Sequence, residues 1–127
     1  MAKWVSAGVL DGGLNYINST VTKMYLLSAY SVGNSYATVI ANALNAGITM
    51  APADLVLSTS GTSRVLTTAV KTAAATASAT GTPDLHFAFT DGSSQVIWVT
   101  DETTNQPITA GNTLNFPALT YTSTQPV

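Results

Sequence analysis

Only four basic and six acidic side chains serve a chain of 127 residues. A soluble domain ordinarily carries about 25% charged residues, and here the fraction is 8%. Something else must keep the surface wet. Thr and Ser, together about a quarter of the chain, are the residues available. Thr is β-branched and suits the pleated, half-buried surface of a sheet better than a helix. The chain is thereby steered toward a β-rich fold with neutral surfaces, which are well suited to packing against other protein.

The same scarcity excludes whole classes of function. Lys3, Lys23, Arg64 and Lys71 are the basic residues, and they do not cluster. No basic patch is available to neutralise phosphates, so nucleic acid is not an expected partner. A polybasic membrane anchor fails on the same count, and no apolar run reaches the ~20 residues that a membrane helix needs. Cysteine is absent, which removes disulfides and thiolate metal sites and fits synthesis in a reducing cytoplasm. Residues 1–10 carry a charge and then an apolar stretch. Asp11-Gly12-Gly13 cuts that stretch short, so it makes a poor signal peptide. The expectation is a soluble, unprocessed protein with no membrane partner.

The length fits one domain, 1–127. Its expected parts are an N-terminal arm (1–8), a helix-strand-helix segment (9–50), a β-rich body (51–123) and a short tail (124–127). Leu10, Leu14 and Ile17 fall on one face of a short helix, which Gly8, Gly12 and Gly13 weaken. The run 23–29 reads as a strand covered on both faces, because Met24 to Leu27 are continuously apolar. Ser35 is positioned to cap a second helix through Tyr36, Val39, Ile40, Ala43 and Leu44, with Gly47 as its left-handed C-terminal residue.

From Pro52 onward the pattern is β. A run from Leu55 to Ser58 is followed by a turn at Ser60-Gly61-Thr62 and an extended stretch over 64–70. Residues 71–80 alternate Ala with Thr or Ser. They read either as a low-complexity linker or as a strand with a small-residue face, and the period of two favours the strand. The strongest hairpin places Leu85, Phe87 and Phe89 on one side, turns at Asp91-Gly92, and returns with Val96 and Trp98 on one side. A polar loop over 101–112 precedes a last strand over 118–123, and the tail is loose unless it docks on something. The fold class is α+β, mainly β: an antiparallel β-sandwich or jelly-roll-like body with one or two short helices in the N-terminal third.

Chemistry is sparse. His86 is the only histidine and sits inside an apolar run, which reads as a hydrogen-bonded strand histidine rather than a catalytic base. Asp101 and Glu102 are adjacent and point to opposite faces, so they make no glycosidase pair. No EF-hand loop is present, although a calcium site assembled from separated loops stays open. Asn18-Ser19-Thr20 matches the glycosylation pattern but lacks a secretion signal. No catalytic, metal or cofactor-binding residue is assigned, and no cofactor is expected. The candidate contact residues are Ala2, Lys3, Trp4 and Val5. They are apolar in the main, weakly structured alone, and carry a Trp able to anchor a partner.

Several stretches in order resemble a family of small virion proteins of tailed bacteriophages, of the head decoration or cement type. They are Leu10-Asp11-Gly12-Gly13-Leu14-Asn15-Tyr16-Ile17, Leu26-Leu27-Ser28, Ser35-Tyr36-Ala37 and Ala53-Asp54-Leu55-Val56-Leu57. They continue with 81–89, Ile108-Thr109-Ala110-Gly111-Asn112-Thr113, and Phe116-Pro117-Ala118. Phe87 and Phe89 are bulkier than the pattern, and the Ala/Thr stretch is plainer. The resemblance implies a homo-oligomer, dimer or trimer, on the outer capsid surface of the virion, with the major capsid protein as partner. Two alternatives remain: a minor tail, neck or fibre-attachment component, and a carbohydrate-binding or adhesin-like β domain. An enzyme is the least expected reading, with one histidine and no cysteine to build from.

Overall fold

A computed structural model describes residues 2–127; Met1, the first residue of the expected arm, lies outside them. Strand outweighs helix, 37% to 18%, so the class is α+β with β dominant. Helix α1 (Ala7–Thr20) forms where the apolar residues repeat at helical spacing, and Leu10, Leu14 and Ile17 are its buried side chains. Its start takes in the last two residues of the expected arm. There follow β1 (Lys23–Leu27), α2 (Tyr36–Ala41), β2 (Ile48–Thr49), a 3-10 turn (Pro52–Asp54), β3 (Leu55–Ser60) and β4 (Ser63–Thr68). The chain then forms β5 (Lys71–Ala74), β6 (His86–Thr90), β7 (Val96–Asp101), β8 (Thr113–Phe116) and β9 (Thr120–Ser123). Three antiparallel sheets result, ordered β2-β1-β6-β7, β3-β4-β9 and β5-β8.

One face of the four-stranded sheet, with Met24, Leu26, Phe87, Phe89 and Trp98, shares a core with Leu66 of β4 and with Leu114 and Phe116 of β8. Phe87 meets Phe116 with ring centroids 5.5 Å apart, and Trp98 meets Tyr121 of β9 edge-on at 5.7 Å. The body is therefore a sandwich whose second layer is split between two small sheets. Phe87 and Phe89 point from the large sheet into this shared core. The opposite face of the large sheet, with Tyr25, Leu27 and Ala88, is covered by Val39 and Ile40 of α2. This double coverage explains the unbroken apolar run of β1.

Four local expectations change. Helix α2 ends at Ala41 rather than running through Leu44. Ala43 bridges Leu27, and the Leu44 N–H donates to the Leu26 oxygen at 2.8 Å, so pairing beside β1 buries Leu44 and half-buries Ala43. Gly47 is not left-handed. It is needed because a Cβ there would stand 2.7 Å from the Tyr25 hydroxyl oxygen. Val96 does not share a face with Trp98. The β6–β7 register shifts between Phe89 and Thr90, leaving Ile97 as an extra residue, and the bulge turns Val96 to the α2 side with Val99. Finally, the Ala/Thr run is a strand only over Lys71–Ala74, paired with β8, a strand that the sequence pattern does not announce.

The Asp91 side chain braces the β6–β7 turn. Asp91 Oδ1 accepts from the backbone N–H groups of Ser94, Gln95 and Ser93 at 2.8, 3.0 and 2.9 Å. Those bonds, in that order of effect, hold its carboxyl far below the ordinary carboxylate range against a small opposing effect of burial. A carboxyl depressed in the folded state contributes stability that is whole above its unfolded value of about 3.9 and is lost as pH falls toward the folded one. Asp91→Asn is therefore expected to be less stable than wild type at pH 7. Urea midpoints should show that gap narrowing below about pH 4. A gap that stays constant with pH would contradict the assignment.

Candidate functional site

The candidate contact residues lie where the two ends of the chain meet. Ser6 caps α1, with its backbone extended and its hydroxyl accepting from the Val9 N–H at 3.4 Å. That geometry sends residues 2–5 away from the helix and onto the three-stranded sheet. There the Gln125 amide acts as a one-residue strand partner. Its Oε1 accepts from the Val5 N–H at 2.9 Å, and its Nε2 donates to the Val5 oxygen at 3.1 Å and to the Thr62 oxygen at 3.3 Å. Lys3 Nζ donates to the Val127 backbone oxygen at 2.7 Å. The expected loose tail is docked, and the arm it docks on is held at Lys3 and Val5.

Trp4 stands between these two fixed points and is 74% exposed. It borders a groove of about 270 Å³ lined also by Val5, Leu10, Thr59, Thr62 and Arg64. Arg64 brings no net charge to the groove. Its Nε donates to Asp11 Oδ1 at 2.7 Å, and a terminal nitrogen donates to Thr59 Oγ1 at 2.6 Å. The outer face of α1 carries exposed Val9, Gly12, Gly13 and Tyr16, at i, i+3, i+4 and i+7. A Cβ at Gly12 or Gly13 would meet nothing within 4 Å, so that face is flat. In the sequence these glycines weaken the helix and interrupt the apolar N-terminal stretch, and neither reading marks a surface. Their spacing with Val9 and Tyr16 was the available signal for an uncharged outer stripe.

The remaining candidates fall elsewhere. Trp98 is buried and stacked on Phe89, with centroids 4.6 Å apart. Asn18 Nδ2 donates to the Pro52 and Leu55 oxygens at 2.9 and 2.7 Å. The one nitrogen that glycosylation would use is therefore committed to bracing α1 on β3. His86 Nδ1 lies 3.0 Å from the Asp84 backbone oxygen, as a hydrogen-bonded strand histidine would. Asp101 turns toward His86, while Glu102 turns the other way, onto a second cleft of about 290 Å³. The one aromatic lining that cleft among the described residues, Phe87, is buried, so the cleft offers no aromatic platform for a sugar. Among the described residues, no helix is long and apolar enough to cross a membrane.

Comparisons with protein-family models, with curated proteins and with solved structures return no match.

Proposed function

We propose that the chain is a structural protein of a tailed-bacteriophage virion. In this reading it is a capsid decoration or cement protein that binds the major capsid protein lattice from outside as a dimer or trimer. The observation that carries the reading is Trp4, held by its neighbours yet exposed, beside a neutral groove and the flat outer face of α1. Interface cores are depleted of charge and enriched in Trp and Tyr. Trp4, Val9 and Tyr16 supply that composition as exposed side chains. The ordered resemblance in sequence supplies the identity of the partner. A minor tail or neck component would use the same surface chemistry but at far lower copy number.

The arm carries the test. Trp4→Ala is expected to weaken binding to capsids prepared without this protein by about thirtyfold, the ~2 kcal/mol typical of a Trp anchor. Its melting temperature should be unchanged, because the ring is outside the core. Deleting residues before Gly8 should weaken binding at least as much with the β body still folded. Capsid occupancy that survives both changes would sink the role of the arm. A copy number of a few per cent of the major capsid protein in purified particles would move the protein to the tail or neck.

A further inference from the structure

We propose that Asp84, His86 and Asp101 form a site for a divalent first-row transition ion, of which zinc is the type. His86 begins β6 and Asp101 ends β7, and the two face each other directly in the ladder register. Asp84 lies in the segment that leads into β6. One ligand atom from each residue lies within 4.8 Å of the other two. An ion bound at about 2.0–2.2 Å to nitrogen and oxygen holds its ligands roughly 3–4 Å apart. His86 Nε2 and Asp101 Oδ1 are 3.7 Å apart, beyond a good hydrogen bond and within that span. Both aspartates are exposed, and a change of rotamer closes the rest of the gap.

Groups that would not touch the ion prepare the imidazole. A backbone oxygen only accepts, so His86 Nδ1 is the donor to Asp84 O. In the neutral ring the lone pair is then on Nε2, the nitrogen beside Asp101. A histidine whose other nitrogen donates to a carbonyl is the usual arrangement of a metal ligand. The Tyr30 ring packs on the imidazole, with centroids 5.8 Å apart, and fixes its tilt. The His86 side chain is 15% exposed and that of Asp101 61%, which gives an anchored nitrogen with carboxylates open to water. One imidazole with two carboxylates suits zinc, cobalt or manganese better than magnesium or calcium, which favour oxygen alone. Water completes the coordination. The other occupant of Nε2 is a proton, which would leave a plain His–Asp ion pair.

Calorimetric titration of the full chain, carrying no polyhistidine tag, with zinc chloride near neutral pH separates the two. Wild type should take up a single ion per chain and melt at a higher temperature when saturated. His86→Ala and Asp101→Asn should each weaken uptake by about tenfold or more. Asp101→Asn should melt as wild type does without metal, since the group is exposed, so a loss of binding there is not a loss of fold. Failure of wild type to take up zinc, or uptake that both variants retain, would overturn the site and leave the ion pair.

Discussion

Asn45→Leu is expected to be among the most damaging single changes in this chain. Asn45 is 3% exposed and sits where the segment after α2 runs beside β1. The Leu44 N–H still reaches the Leu26 oxygen, and Ile48 again pairs with Met24. Between those points the Asn45 side chain takes the place of a strand neighbour. Its Oδ1 accepts from the Leu26 N–H at 2.8 Å, and its Nδ2 donates to the Ala46 and Met24 oxygens at 2.7 and 3.3 Å. Leucine fills a similar volume and supplies none of these bonds. A buried polar group left without a partner costs about 1–3 kcal/mol. Here the buried Leu26 N–H loses its partner, against a total stability of roughly 5–15 kcal/mol for a domain. Urea unfolding at pH 7 should show the midpoint falling sharply with the slope unchanged. A loss below about 1 kcal/mol would mean that other groups take over those bonds.

Asn45 also shows where the sequence stops being legible. Local periodicity places α1, β1, β3 and the β6–β7 hairpin, because each buries a face through residues close in the chain. The spacing from Tyr36 to Leu44 satisfies a helix and also a paired segment. The Leu26 and Leu27 backbone decides between them, and that partner is remote in sequence. Strand β8 has only two inward residues, Leu114 and Phe116, and its partner β5 lies some forty residues earlier, so no local signal marks it. The bulge at Ile97 breaks the alternation from within, and no glycine announces it.

The candidate surface divides in the same way. An apolar arm with a Trp is visible in composition. Its hold on Gln125 joins positions 120 residues apart and is not. Likewise, Asp84 and His86 are neighbours on paper, whereas Asp101 joins them only through the β6–β7 register.

Phe89→Ala should match or exceed the Asn45 substitution in cost, by a different mechanism. Phe89 is fully buried in the four-stranded sheet, pairing with Met24 on one side and with Trp98 on the other. Its ring stacks on Trp98 at an interplanar angle of 11°, and Trp98 in turn meets Tyr121 of the three-stranded sheet. Truncation removes the ring's transfer energy and opens a cavity beneath the indole, an effect of about 3–5 kcal/mol. Strand β6 itself is fixed by ladders on both sides and has little freedom to collapse into the space. Phe89→Leu keeps most of the volume and should cost clearly less, so the pair of variants separates cavity from contact. The quantity to measure is the urea midpoint of both variants, with tryptophan fluorescence as a second probe, since Trp98 lines the cavity. Equal losses for Ala and Leu would show that the stack itself, and not the volume beneath it, joins the large sheet to β9.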